Sequence, residues 1–280
     1  MKTLLKTTSM ALMLLASPAM AQHAGHGGAA SAAKAPDWTN YPMLVSAGGY
    51  SRTGVKYQAF NMHAMDGLSF ASFDGDGETV PQSATQAVPV NDTGELLVTS
   101  GQTGGYYLVR AMGHGPNGEE ATATTLKYFS NPGAAPRDLL NATRPGFEIT
   151  PAILPREHGH YRENETWAFR VHLNDKPVAN LPVVLQTSNG TRADFISDET
   201  GLVQVTFPGD FQDIPKDQWR HGSPPDSHFV LAVQNGGLLA TFNGDYSLDA
   251  YGDKNLWAGI GFALFGMVLA VPVVRRGKKA

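Results

Sequence analysis

The chain has 280 residues, a formal net charge of -4 and no cysteine. Without cysteine there are no disulfides, no thiolate metal sites and no cysteine nucleophile. The mildly negative charge, with the main basic cluster at the extreme C-terminus, disfavours nucleic acid as a partner.

The first 21 residues read as a signal peptide. Lys2 and Lys6 form a basic n-region, Met10 to Ala16 an apolar stretch too short to span a bilayer, and Ala19-Met20-Ala21 a small-x-small cleavage site. Residues 22–36 are rich in Ala, Gly and His and have almost no bulky apolar side chain. Such a segment buries too little surface to offset its ordering entropy, so a flexible arm carrying His23 and His26 is expected.

From Asp37 to residue 130, short β-rich runs alternate with Gly and Asp turns: Tyr41 to Ala47, Val55 to Met65, Gly94 to Ser100, Gly105 to Ala111 and Thr122 to Phe129. This predicts a first β-sandwich domain. Residues 131–145 begin Asn-Pro-Gly-Ala-Ala-Pro-Arg, the composition of a linker. A second strand set occupies residues 146–250. Its clearest member is Glu165 to Leu173, where Trp167, Phe169, Val171 and Leu173 alternate with Ala168, Arg170 and His172. That pattern places His172 on the solvent side of a half-buried strand. About seven strands in about a hundred residues predict an Ig-like sandwich, with a small barrel as the alternative.

Leu256 to Val274 is uncharged and is followed at once by Arg275, Arg276, Lys278 and Lys279. At helical rise the run is about 28 Å long, close to the hydrocarbon thickness of a bilayer. Residues 256–274 are therefore predicted to be a transmembrane helix and residues 275–280 a cytoplasmic basic tail. With the signal peptide, this gives a single-pass inner-membrane protein whose bulk lies in the periplasm. Gly259, Ala263, Gly266 and Ala270 line one helix face with small residues, a surface suited to a membrane partner. The expected fold class is all-β: two Ig-like β-sandwich domains in tandem plus one C-terminal transmembrane helix.

Four segments follow one another in a characteristic order: Glu148-Ile-Thr-Pro; Tyr161-Arg-Glu-Asn-Glu; Asn174-Asp-Lys-Pro-Val-Ala-Asn-Leu-Pro-Val; and Ser197-Asp-Glu-Thr-Gly-Leu-Val-Gln-Val. Over residues 147–207 this pattern resembles a bacterial periplasmic Ig-like family once called the nickel-uptake substrate-specific region, or periplasmic component of cobalt-nickel transport. Here Asp175-Lys176-Pro177 lacks the glycine usual before the basic residue. The resemblance implies an Ig-like fold, a periplasmic location and an accessory role in nickel or cobalt transport.

Histidine placement gives that implication a chemical form. In an extended chain, residues two apart project the same way, so the rings of His158 and His160 would stand about 7 Å apart. Imidazole is a good ligand for nickel, cobalt, zinc and copper at neutral pH. The expected metal ligands are His23, His26, His158, His160 and His172, with nickel or cobalt ahead of copper or zinc. Met62, His63 and Met65 form an alternative, copper-handling cluster. His114, His221 and His228 read as loop residues, and Asp74-Gly-Asp-Gly-Glu78 as a solvated turn. No nucleophile elbow, zincin motif or phosphate loop occurs, so no catalysis is expected. The competing reading is a non-metal scaffold module of an envelope complex. An enzyme acting on cell-wall glycans is the remaining option.

Overall fold

The computed structural model describes residues 36–52, 55–74, 95–100, 105–129, 136–142, 144–155, 160–212, 214–215, 217, 219 and 225–248. The signal peptide, His23, His26, His158, His221, Gly75 to Glu78 and everything from residue 249 onward lie outside the described residues. That last stretch includes the predicted span, with Gly259, Ala263, Gly266 and Ala270. Among the described residues, no helix is long and apolar enough to cross a membrane.

The elements are β1 (Met43–Arg52), β2 (Val55–His63), β3 (Asp66–Phe73), β4 (Leu96–Thr99), β5 (Tyr106–His114), β6 (Glu120–Tyr128), α1 (Arg137–Asn141), β7 (Phe147–Pro151), β8 (Tyr161–Arg162), β9 (Thr166–Leu173), β10 (Lys176–Pro177), β11 (Pro182–Thr187), β12 (Arg192–Ile196), β13 (Leu202–Thr206), β14 (Asp226–Asn235) and β15 (Leu238–Ser247). Among the described residues the all-β expectation holds, with one short helix inside the predicted linker. Residues 55–65, expected as one strand, end at His63. Ala64 then takes a φ of 54°, and β3 starts at Asp66.

Three sheets form. A long sheet runs β12-β11-β14-β15-β6-β5-β3, with β8 also on β15; a small sheet runs β1-β2-β4; a side sheet runs β10-β9-β13, with β7 on β9. The strand sets on either side of residues 131–145 are thus joined in one sheet. The join is β6 with β15, parallel from Leu238↔Glu120 to Asn243↔Thr125. Each of these strands already pairs its hairpin partner, β5 or β14, and their remaining edges satisfy each other.

Two half-sandwiches use opposite faces of this long sheet. Residues directly paired across strands project to the same face. On the inner face Leu185, Phe229, Leu231 and Phe242 meet Ile149, Phe169, Val171 and Val205 of the side sheet. Tyr161 lies at the centre of this core, with ring centroids 5.0 Å from Phe207 and 5.4 Å from Phe229. On the outer face Val109 and Ala111 of β5 pack under Leu44, Phe60, Leu96 and Val98 of the small sheet. Where β1 crosses β15, an amide replaces strand pairing: Leu44 N donates to Asn243 Oδ1 at 3.0 Å and Asn243 Nδ2 donates to Leu44 O at 2.9 Å.

Two hairpin turns set the registers used below. Asn174 and Asp175 both have positive φ, 48° and 67°, and close β9 on β10 with Leu173 opposite Lys176. Asn and Asp tolerate this left-handed geometry, which explains how the turn forms without the expected glycine. Gly236-Gly237 closes β14 on β15, with Asn235 opposite Leu238.

Candidate functional site

Counting back from the Gly236-Gly237 turn, β14 and β15 place His228 directly opposite Asp245. Both project from the outer face, because Phe229 and Tyr246 beside them enter the inner core. His228 Nδ1 lies 2.6 Å from Asp245 Oδ1. An ionised carboxylate can only accept, so Nδ1 carries the proton and Nε2 of the neutral ring keeps its lone pair. The carboxylate hydrogen bond raises the His228 pKa, against a smaller opposing effect of burial.

On the other side of β15 the same row continues. The pairing Asn243↔Thr125 brings Lys127 alongside Asp245, and Tyr246↔Tyr161 brings His160 there as β8 begins. Burial lowers the Lys127 pKa, and Asp245 partly offsets this. These residues floor a cleft of about 630 Å³ between the outer face of the long sheet and the start of β1. Tyr106 and Tyr128, paired across β5 and β6 with ring centroids 4.9 Å apart, form part of its wall. Ser188 also lines the cleft, but its Oγ lies 2.6 Å from Ser227 Oγ and accepts the His228 backbone N–H at 3.0 Å. The β floor of the site therefore offers imidazoles, the Asp245 carboxylate and the Lys127 amine, and Asp37 adds a second carboxylate to the lining.

The five expected metal ligands fare differently. His160 is exposed and lines the cleft. His23, His26 and His158 lie outside the described residues. His172 is not solvent-facing: it is 4% exposed, with Nε2 3.4 Å from Glu148 Oε2. The polar face of β9 is covered by the linker helix, where Arg170 Nη1 reaches Leu140 O at 3.3 Å. Period-two alternation identifies two faces of a strand but not whether a second layer covers the polar one.

His172 belongs to a buried charge cluster on the inner side of the long sheet, joining the side sheet to β5. Glu148 Oε2 accepts from Arg144 Nε at 3.0 Å, and Glu148 Oε1 stands 3.6 Å from Arg110 Nε on β5. Arg144 Nη1 also donates to Leu139 O at 2.7 Å, capping a carbonyl of α1. Burial lowers the His172 pKa, with Glu148 opposing it, so the ring sits neutral beside two guanidiniums. This cluster ties the chain together and presents no open coordination site.

The copper alternative finds its residues in structural roles. Met62 and Met65 pack against the Leu44–Phe60 core, and His63 Nε2 lies 2.8 Å from Thr39 O. His114 Nδ1 and Asp66 Oδ1 face each other at 4.0 Å on the surface. Among the described residues, no three His, Asp or Glu side chains stand close enough together to hold an ion. Asp245 and Lys127 carry no local sequence signal, and His228, expected in a loop, lies on β14. The one signal that would have found the pair is the Gly-Gly turn, from which the register follows.

No family model and no curated protein matches the chain. Solved structures similar to it include the tetra-tandem repeat in the extending region of a large adhesion protein, at 13% identity, 75% of this chain, 50% of that chain and a TM-score of 0.26. A 1.5-MDa bacterial ice-binding adhesin follows, at 13% identity, 70% of this chain, 58% of that chain and a TM-score of 0.23. A two-domain fibronectin type III segment of chicken tenascin matches at 9% identity, 74% of this chain, 98% of that chain and a TM-score of 0.21. The chain spans about half the length of the adhesin structures it matches.

Proposed function

We propose that this chain is a membrane-anchored periplasmic accessory protein, not an enzyme, that binds a divalent transition metal and presents it to a membrane transport system. Nickel or cobalt is the favoured ion, ahead of copper or zinc. The observation that supports this reading is the His228–Asp245 hydrogen bond of 2.6 Å at the cleft floor. A carboxylate on one ring nitrogen fixes the tautomer and raises the basicity of the other, the arrangement that prepares a histidine to ligate. His160 in the same row supplies a second imidazole, and water would complete the shell. Lys127 nearby opposes a cation, and a site with few protein ligands exchanges its ion readily. Both features suit handover better than storage.

The test is titration of the full-length protein in detergent with nickel, cobalt, zinc and copper ions, each followed calorimetrically. The expected result is binding that weakens by roughly tenfold or more in both His228→Ala and His160→Ala. Absence of any binding tighter than about millimolar would overturn the proposal.

A scaffold role in an envelope complex is the second reading. It is favoured by the strand β12, which among the described residues pairs with β11 alone and carries Ile196 at 70% exposure. Partner capture that persists in chelator supports the scaffold; capture that requires added metal supports the accessory.

A further inference from the structure

A second cleft, of about 510 Å³, opens on the same outer face nearer the Gly236-Gly237 turn. Its floor comes from the long sheet. Gln186 on β11 lies opposite Arg192 on β12, and Gln234 on β14 lies opposite Leu239 on β15. One wall is the segment entering β1, with half-buried Trp38 and Tyr41; the other is the β5–β6 turn, with Glu119.

The chemistry of this lining is specific. Planar amides both donate and accept, a carboxylate accepts, a guanidinium donates, and the aromatic faces are apolar. A neutral polyhydroxylated ligand needs all of these, because each hydroxyl is donor and acceptor while the C–H face of the ring is apolar. Two carboxylates, Asp37 and Glu119, against one guanidinium leave no positive field to draw an anion. Several groups are already held in place. Glu119 Oε2 accepts the Asn117 backbone N–H at 2.9 Å, and Tyr41 packs on Ala121, Ala232 and Leu239. Gln186 Oε1 is buried without a hydrogen-bond partner, so an acceptor at the floor is unsatisfied.

We infer that this second cleft is a binding site for a neutral saccharide, with the Trp38 and Tyr41 rings stacking on sugar faces and Gln186, Gln234, Glu119 and Arg192 bonding hydroxyls. The site shares Asp37 and Trp38 with the first cleft but none of the His228–Asp245 row, and it does not depend on metal. Binding of maltotetraose, cellotetraose and chitotetraose to the full-length protein, in buffer containing EDTA, is measured by calorimetry. At least one tetrasaccharide is expected to bind with a dissociation constant below about 1 mM. Trp38→Ala and the exposed Gln234→Ala are each expected to weaken it roughly tenfold. Thermal unfolding of both variants identifies any loss caused by misfolding, and Gln234→Ala keeps the test valid if Trp38→Ala is unstable. No binding of any tetrasaccharide at about 5 mM overturns the inference. So does binding unchanged in both variants, or preference for a tetra-alanine peptide over the sugars. Because EDTA removes metal, neither result bears on the ion-binding proposal.

Discussion

Replacing Glu148 by Gln removes the only carboxylate among the buried cluster of Arg110, Arg144, Glu148 and His172. The side chains of Arg110 and Arg144 are 3% and 2% exposed, and Glu148 is 1% exposed. Glutamine keeps the shape and one acceptor, so little packing is lost. The two guanidiniums keep their carbonyl partners, Pro145 O and Leu139 O, but lose their counter-charge. Breaking a buried ion pair by removing one partner typically costs about 3–5 kcal/mol, mostly the penalty of the charge left behind. For a folded region of this size that corresponds to a fall in Tm of about 6–20 °C, readable by calorimetry or by tryptophan fluorescence during heating. Replacing Arg110, Arg144 and Glu148 together by apolar residues of similar volume should recover much of the loss, because no uncompensated charge remains. A Glu148→Gln loss below about 1 kcal/mol would refute the reasoning, by showing that water reaches the cluster.

Other perturbations have equally definite outcomes. Gly201 has a φ of +73°, and a Cβ there would come 2.7 Å from Val171 O; Gly201→Ala should therefore lower stability by about 2–3 kcal/mol in urea unfolding. Phe169, fully buried among Tyr161 and Phe242, should cost about 3–5 kcal/mol when cut to alanine. His172 has a lowered pKa, so as pH falls below about 6.5 the unfolded chain protonates first. Its contribution to stability is complete above that pH and declines below it, and the Tm of His172→Gln should fall less between neutral pH and about pH 5. His228 has a raised pKa and the opposite sign: its stabilisation is present below about 6.5 and fades as pH rises through the raised value. Protonation of the same ring competes with metal, so ion binding should weaken as pH falls, and a flat binding profile would exclude His228 as a ligand.

Much of the fold was legible because strands announce themselves locally. The runs Gly105 to Ala111 and Thr122 to Phe129 read as strands and fall on β5 and β6, and the alternation of Trp167, Phe169, Val171 and Leu173 identifies the face of β9 that meets the core. Turn chemistry was legible too. In the Ser197-Asp-Glu-Thr-Gly turn, Asp198 Oδ1 accepts from Thr200 N, Thr200 Oγ1 and Leu202 N. The candidate site was mostly hidden. His228, Asp245, Lys127 and His160 come from four different stretches of chain, and nothing in a local window relates Lys127 to Asp245.

The sequence by itself determined the all-β character and the approximate position of most strands, since these follow from side-chain periodicity and turn residues acting over a few positions. It also carries the expectation of export and membrane anchorage, which rests on residues 1–21 and 256–274. Only the tertiary structure decided the rest. Free strand edges at β6 and β15 joined two predicted sandwiches into one sheet, and covering the polar face of β9 turned His172 from a candidate ligand into a buried structural ring. Both outcomes depend on which surfaces meet at long range, where edge satisfaction and desolvation act, and no local pattern encodes them.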